Sequence, residues 1–216
     1  QAASGGGVEA FELIPADILH VLFRKFPDIP QPLATRGAMN VLIEIASTNK
    51  SSNITNNFGQ SPLQVIMEET LASALADGLV VDATIANSEA QRKALWDVRE
   101  YAPESHKLSA GVARSDISLP QSVLANFYNE MTKGIKEIDP MLWICGYGHI
   151  GDGNLHFNII ADERSNADFE RKKVDIYELL YDRVTKYNGS ISAEHGIGQT
   201  KRQQLTIVKQ PEILDV

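Results

Sequence analysis

Apolar positions along this chain switch repeatedly between two spacings. Gly7 to Ile14 is a short apolar-rich run that stops at Pro15, the pattern of a strand. Ile18, Leu19, Leu22, Phe23 and Phe26 then recur at helical spacing, and the Pro27–Pro32 stretch ends that helix. Met39 to Ser47 predicts a second strand, and the polar, Asn-rich residues 48–60 a loop. Ser61-Pro62 opens a helix as N-cap and first-turn proline, and Gly78 closes it. Leu79 to Ala86 reads as a third strand. Ser88 with Gln91 makes a capping box for a helix running to about Tyr101, ahead of Pro103.

Gly111 to Leu119 predicts another strand, and Pro120 starts a long helix to about Ile138. Met141–Ile150 and Asn154–Ala161 predict two strands joined by Gly151-Asp152-Gly153. A helix over Asn166–Asn188, a strand over Ser190–Glu194 and a final helix starting near Gly196–Gly198 complete the pattern. From Gly111 to Glu194 the order is strand, helix, strand, strand, helix, strand, the split βαβ or ferredoxin-like unit. Residues 8–104 read as the same unit with one strand missing or hidden. The expected fold class is therefore α+β: two duplicated ferredoxin-like halves, 8–104 and 111–195, forming a mainly antiparallel sheet with helices packed on one side.

Composition narrows the function classes. With 216 residues and 43% hydrophobic side chains the chain can bury a real core. Twenty basic against 28 acidic residues leave a net charge of −8, which argues against nucleic acid as the main partner and against a polybasic membrane anchor. No apolar run approaches the roughly 20 residues that cross a bilayer. A single cysteine, Cys145, excludes a disulfide framework and multi-cysteine metal sites, and it reads as a packed core thiol, as Trp96 and Trp143 read as core. Bacterial cytoplasm and mitochondrial matrix both fit the lack of disulfides. The first residues, Gln1 to Gly7, lack an initiator Met and the layout of a signal peptide, so the chain is expected to be a piece of a longer protein.

Chemistry concentrates in two clusters. In Gly148-His149-Ile150-Gly151-Asp152-Gly153-Asn154-Leu155-His156-Phe157-Asn158 the two histidines would face opposite sides of one continuous strand. The Gly-Asp-Gly turn instead folds them onto neighbouring strands, where both imidazoles can converge on one ion, and Asn158 shares the face of His156. In Glu194-His195-Gly196-Ile197-Gly198 a strand meets a glycine-opened helix, where backbone N–H groups favour an anion. Glu194 is the natural third ligand for a divalent ion beside His149 and His156, and His195 is left to act as a base. Gly196 and Gly198 are the candidate cofactor-approaching glycines, although no GxGxxG accompanies them. Arg99 and Arg114 can each clamp a carboxylate, while spacing alone favours reading both as solvated surface arginines. The structural alternative for His149 and His156 is a hydrogen-bonded sheet residue, and for residues 194–198 a helix start that merely needs glycines.

The stretches GHIGDGNLHFN (148–158) and SAEHGIG (192–198), with LWDVRE (95–100) and SDISLP (115–120), resemble the C-terminal domain of FAD-linked oxidases. These belong to the vanillyl-alcohol-oxidase-like superfamily, and the match is to its D-2-hydroxyglutarate and D-lactate dehydrogenase branch. The resemblance spans nearly the whole chain. It implies that His149, His156 and Glu194 bind Zn²⁺ or Mn²⁺, that Arg99 and Asn158 contact substrate, and that His195 is the base. Arg114 stands where the hydroxyglutarate enzymes usually carry a lysine, and Pro103 where some members carry a substrate-contacting threonine. The FAD is expected to be held mainly by an N-terminal flavin domain that has no counterpart in these residues, so the chain alone is expected to be inactive.

The function so implied is oxidation of a D-2-hydroxy acid to the 2-oxo acid, with an electron acceptor of unspecified identity and a homodimer among the expected assemblies. Three rivals differ in what they need. A metal-free flavin oxidase or ether-lipid synthase relative would use the histidines to hydrogen-bond substrate. A metallohydrolase would act without flavin, through Glu194 or His195 and a metal-bound water. A non-catalytic interaction module would show an exposed apolar patch.

Overall fold

The structure is a computed structural model that describes residues 5–49, 54–107, 109, 111–162 and 168–197. It divides into two compact units, Gln1–Ser105 and His106–Val216. Both are built from antiparallel strands and helices, which makes the chain α+β.

In the first unit β1 (Val8–Pro15) pairs directly with β2 (Met39–Ile45), from Val8 opposite Ile45 to Pro15 opposite Met39. Between them α1 (Ala16–Lys25) buries Ile18, Leu19, Val21 and Leu22, with Asp17 in its first turn and Arg24 and Lys25 in its last, each sign matching the helix dipole. The predicted caps form. Ser61 Oγ accepts the Gln64 N–H at 3.2 Å to open α2 (Pro62–Ala76), and Ser88 Oγ accepts the Gln91 N–H at 3.3 Å to open α3 (Glu89–Glu100). Pro103 does not end the helical region; it falls in the first turn of α4 (Ala102–Lys107), where its missing N–H costs nothing. Trp96 is half-buried, and its Nε1–H donates to Glu44 at 2.8 Å.

The strand expected over Leu79–Ala86 is not formed. The Leu79 and Val80 N–H groups return to Ala74 C=O, at 2.9 and 3.2 Å, and close the end of α2. Asp82 then takes the N–H groups of Thr35 and Ala83. Leu79 and Val81 stay exposed, so apolar alternation here had no partner strand to satisfy it.

The second unit has the predicted split βαβ order. Its strands are β3 (Val112–Ala113), β4 (Asp116–Ser118), β5 (Trp143–His149) and β6 (Asn154–Ile160). β6 lies between β5 and the β3–β4 segment, and Ser190 bridges antiparallel to Ser118 on the far side. The strand expected over Gly111–Leu119 is interrupted without losing register: Ala113 faces Ile159 and Asp116 faces His156. At the break the Ser115 N–H bonds the Asn158 side chain and the Ser115 hydroxyl bonds Phe157 C=O. The strand expected over Ser190–Glu194 shrinks to the Ser190 bridge, because the next backbone donors turn to a side chain described below.

One face of this sheet makes the core. Ile117, Ile144, Leu155, Phe157 and Ile159 are essentially buried, together with Phe127, Met131 and Ile135 of α5 (Leu124–Ile138) and Phe169, Ile176, Leu180 and Val184 of α6 (Phe169–Lys186). Phe157 packs edge-on to Phe127 and Tyr128, with centroids 5.3 and 5.4 Å away, and its ring fills the space that a Cβ on Gly146 would need. Cys145 is buried as predicted, while Trp143 is half-buried. The helix expected to begin near Gly196–Gly198 lies outside the described residues.

Burial of the Phe157 ring sets the first prediction. Phe157→Ala should cost the chain about 3–5 kcal/mol, the usual range for emptying a core aromatic. Phe58→Ala, at a site 87% exposed, should change stability by less than about 0.5 kcal/mol. Urea melts of the two variants beside wild type check both values.

Candidate functional site

The other face of the second unit's sheet carries the polar groups. Tyr147 lies opposite His156, and cross-strand partners share a face. His149, two residues beyond Tyr147, joins them, as do Asn154 and Asn158 on either side of His156. Asp116, also opposite His156, adds a carboxylate from β4. The His149 and His156 ring centroids are 6.5 Å apart, so the hairpin brings the two imidazoles together as its Gly-Asp-Gly turn predicted. That turn depends on glycine at two points. Gly148 has φ +144° and Gly153 φ +81°, and a Cβ on Gly153 would fall 1.9 Å from Leu119 C=O. Asp152 completes the turn by accepting the Asn154 N–H at 3.0 Å.

Glu194 reaches both histidines. Its Oε1 is 3.6 Å from His149 Nε2 and its Oε2 is 3.9 Å from His156 Nε2, and the Asn154 amide donates to Oε1 at 2.6 Å. Donor atoms that each lie about 2.0–2.2 Å from one ion can be at most about 4.4 Å apart. Both Glu194–histidine distances fit that limit. The borderline two-nitrogen, one-carboxylate donor set suits Zn²⁺ or Mn²⁺. Among the described residues, the group of three whose ligand atoms all lie within 4.8 Å of one another is Asp116, His156 and Glu194, and His149 stands outside it.

Asp116 lies in the SDISLP stretch, where no spacing or periodicity marks its role. Its Oδ2 accepts three consecutive backbone N–H groups, from Ala193 at 3.1 Å, Glu194 at 2.8 Å and His195 at 2.9 Å. Its Oδ1 is 3.6 Å from His156 Nδ1, while Glu194 faces the other ring nitrogen, Nε2. Burial by itself would raise this carboxyl's pKa. The His195 and Glu194 N–H groups and the positive field of His156 outweigh burial and hold it below its ordinary value. Asp116 is therefore an anion that fixes the Glu194 loop, and its Oδ1 stands close to His156 without a hydrogen-bond partner among the described residues.

Asn158 is 5% exposed and tied on both ends of its amide: Oδ1 accepts the Ser115 N–H at 3.2 Å, and Nδ2 lies 3.0 Å from His106 Nδ1. His106, which the sequence reading did not select, is 2% exposed, and its ring lies 5.3 Å from Tyr147. Burial first, then the fields of Arg114 and His156, push its pKa down to about 4. Arg114 is exposed just before β4, and its C=O accepts the Tyr177 hydroxyl at 3.1 Å. His195 and Gly196 are exposed on the loop held by Asp116, with open space around Gly196; Gly198 lies outside the described residues. Arg99 belongs to the first unit, where its Nε donates to the buried Glu12 carboxylate at 2.7 Å.

Comparison with known proteins places this geometry. Residues 3–216 match the family described as FAD linked oxidases, C-terminal domain. A protein of Stutzerimonas stutzeri named D-2-hydroxyglutarate dehydrogenase is 34% identical over 190 residues, covering 85% of this chain and 37% of that protein. The mitochondrial D-2-hydroxyglutarate dehydrogenase of Arabidopsis thaliana is 29% identical over 206 residues, covering 95% of the chain and 34% of its own length. A mitochondrial protein of Schizosaccharomyces pombe named as a D-lactate dehydrogenase is 30% identical over 217 residues, covering 96% and 38%. The chain thus spans little more than a third of the length of these relatives. No described helix is long and apolar enough to cross a membrane. With the family model covering all but the first two residues, this chain belongs to the family of FAD-linked oxidase C-terminal domains.

Proposed function

We propose that this chain is the substrate- and metal-holding part of a flavin-dependent dehydrogenase that oxidises a D-2-hydroxy acid, D-2-hydroxyglutarate or D-lactate, to the 2-oxo acid. The names of its relatives support the substrate class. One observation carries the metal reading: Glu194 comes within 4 Å of His149 Nε2 and His156 Nε2 at once. A carboxylate shared between two imidazoles is the donor set that a divalent ion needs, and it leaves other positions open to substrate.

When bound, FAD supplies the acceptor for the hydride from the substrate's Cα, and a Zn²⁺ or Mn²⁺ ion supplies Lewis acidity at the α-hydroxyl. The chain's own residues do the rest. His149, His156 and Glu194 hold the ion, with Asp116 fixing the loop that presents Glu194. An imidazole nitrogen of His195 takes the hydroxyl proton as the C–H bond breaks and the C=O bond forms. Asn158 contacts the substrate, and the Arg114 guanidinium attracts its carboxylate. Arg99 keeps its carboxylate-binding role in this proposal through the family resemblance, and Glu12 fixes the direction of its guanidinium. Gly196 and Gly198 keep the backbone close to the cofactor.

Calorimetric titration of Zn²⁺ and Mn²⁺ into the chelator-treated chain tests the metal reading. Wild type should bind one ion, and His156→Ala should bind at least about tenfold more weakly, with an unchanged far-UV spectrum. Equal binding by both proteins, or none by wild type at millimolar ion, would remove the metal from the proposal. In the flavin-loaded protein that carries this chain, His195→Ala should lower kcat by about 10²–10⁴, the usual contribution of a general base, with a much smaller change in KM. A kcat within about threefold of wild type would contradict that role.

A further inference from the structure

The hydrogen bonds around Asn158 determine where the proton of His106 lies. The Ser115 backbone N–H can only donate, so the Asn158 atom that meets it is the carbonyl oxygen Oδ1. The Asn158 atom facing His106 is then the NH₂ group, 3.0 Å from His106 Nδ1. A donor there requires Nδ1 to be the accepting, unprotonated nitrogen, so the ring carries its single proton on Nε2. That Nε2 is buried and has no hydrogen-bond partner among the described residues.

A buried N–H without an acceptor is costly, about 1–3 kcal/mol, and such groups mark places where a ligand or water is expected. The surroundings select the ligand's chemistry. His106 lies on the same face of the sheet as His156, with Tyr147 between the two rings at 5.3 Å from each. It also feels the positive field of Arg114. An N–H donor beside a fixed positive charge favours an anionic oxygen over a neutral one.

We propose that His106 is a further ligand-binding residue of this site, a neutral Nε2–H donor to a carboxylate oxygen of the substrate, with its tautomer set by Asn158 and Ser115. The inference rests on the proposed function, and it assigns a role to a residue outside the motifs that carry the family resemblance. Arg114 supplies the charge, and His106 adds a donor whose position is fixed by its buried contact with Asn158.

Two measurements test it. In the ¹⁵N-labelled chain, long-range ¹H–¹⁵N correlations should show His106 protonated at Nε2 and bare at Nδ1, and the Nε2 signal should move on addition of millimolar 2-oxoglutarate. A proton on Nδ1, or an Nε2 signal indifferent to 2-oxoglutarate, would overturn the assignment. In the flavin-loaded protein, His106→Phe should raise KM for the oxidised acid by about tenfold or more, the cost of one lost hydrogen bond to a charged group, with kcat changed far less. His106→Gln, whose amide N–H can replace Nε2–H, should recover most of that loss. KM values for His106→Phe equal to wild type would show that water, and not substrate, satisfies Nε2. A wild type that oxidises neither D-2-hydroxyglutarate nor D-lactate would defeat the proposed function instead, and the spectrum of the chain would decide His106 alone.

Discussion

Three backbone N–H groups converging on one carboxylate oxygen hold the site together. Asp116 Oδ2 takes the donors of Ala193, Glu194 and His195, and in doing so ends the strand that began at Ser190. An antiparallel strand continued through Glu194 would spend those donors on the ladder and point alternate side chains to opposite faces. Gathering them on Asp116 curls the chain so that Glu194 meets both histidines of the hairpin. The cost of a buried carboxylate is offset by the same three bonds, and those from His195 and Glu194 help to keep it ionised.

The sheet separates stability from chemistry by its alternation. Phe157 and Leu155 point into the α5–α6 layer, while His156, one residue away from each, points to the polar face. A histidine substitution there removes an imidazole tip and leaves the apolar layer intact, whereas losing Phe157 opens the core. Rigid strands carry Asp116 on β4, His149 on β5 and His156 on β6, and a loop brings Glu194, so the cluster's geometry is set mainly by the hairpin and tuned by Asp116. Gly153 makes that possible, because no side chain fits between its Cα and Leu119 C=O.

Much of this was legible in the sequence. The Gly-Asp-Gly turn between two apolar strands predicted the hairpin and the approach of His149 to His156, and the SAEHGIG stretch pointed to Glu194. Helix caps at Ser61 and Ser88 were readable because the capping bond is local. Asp116 and His106 were not, for a shared physical reason. Each acts through partners 40 to 80 residues away, on backbone N–H groups or on a buried amide, and neither leaves a periodic or spaced signal. Leu79–Ala86 shows the reverse error: its apolar pattern is local, but a strand needs a neighbour, and its donors went to Ala74 and Asp82. The ladder break at Arg114–Ser115 was equally hidden, because it arises from the Asn158 side chain replacing a backbone acceptor.

If Asp116 works by placing Glu194, its contribution to metal binding should vanish once Glu194 is gone. A double-mutant cycle of Asp116→Ala and Glu194→Ala, read as Zn²⁺ affinity of the chelator-treated chain, measures this dependence directly. The account predicts strong non-additivity: Asp116→Ala weakens binding about 10–100-fold in wild type and by only a few-fold in the Glu194→Ala background. Equal penalties in both backgrounds would mean that Asp116 is an independent ligand, and would contradict the claim that it builds the site by holding the Glu194 loop.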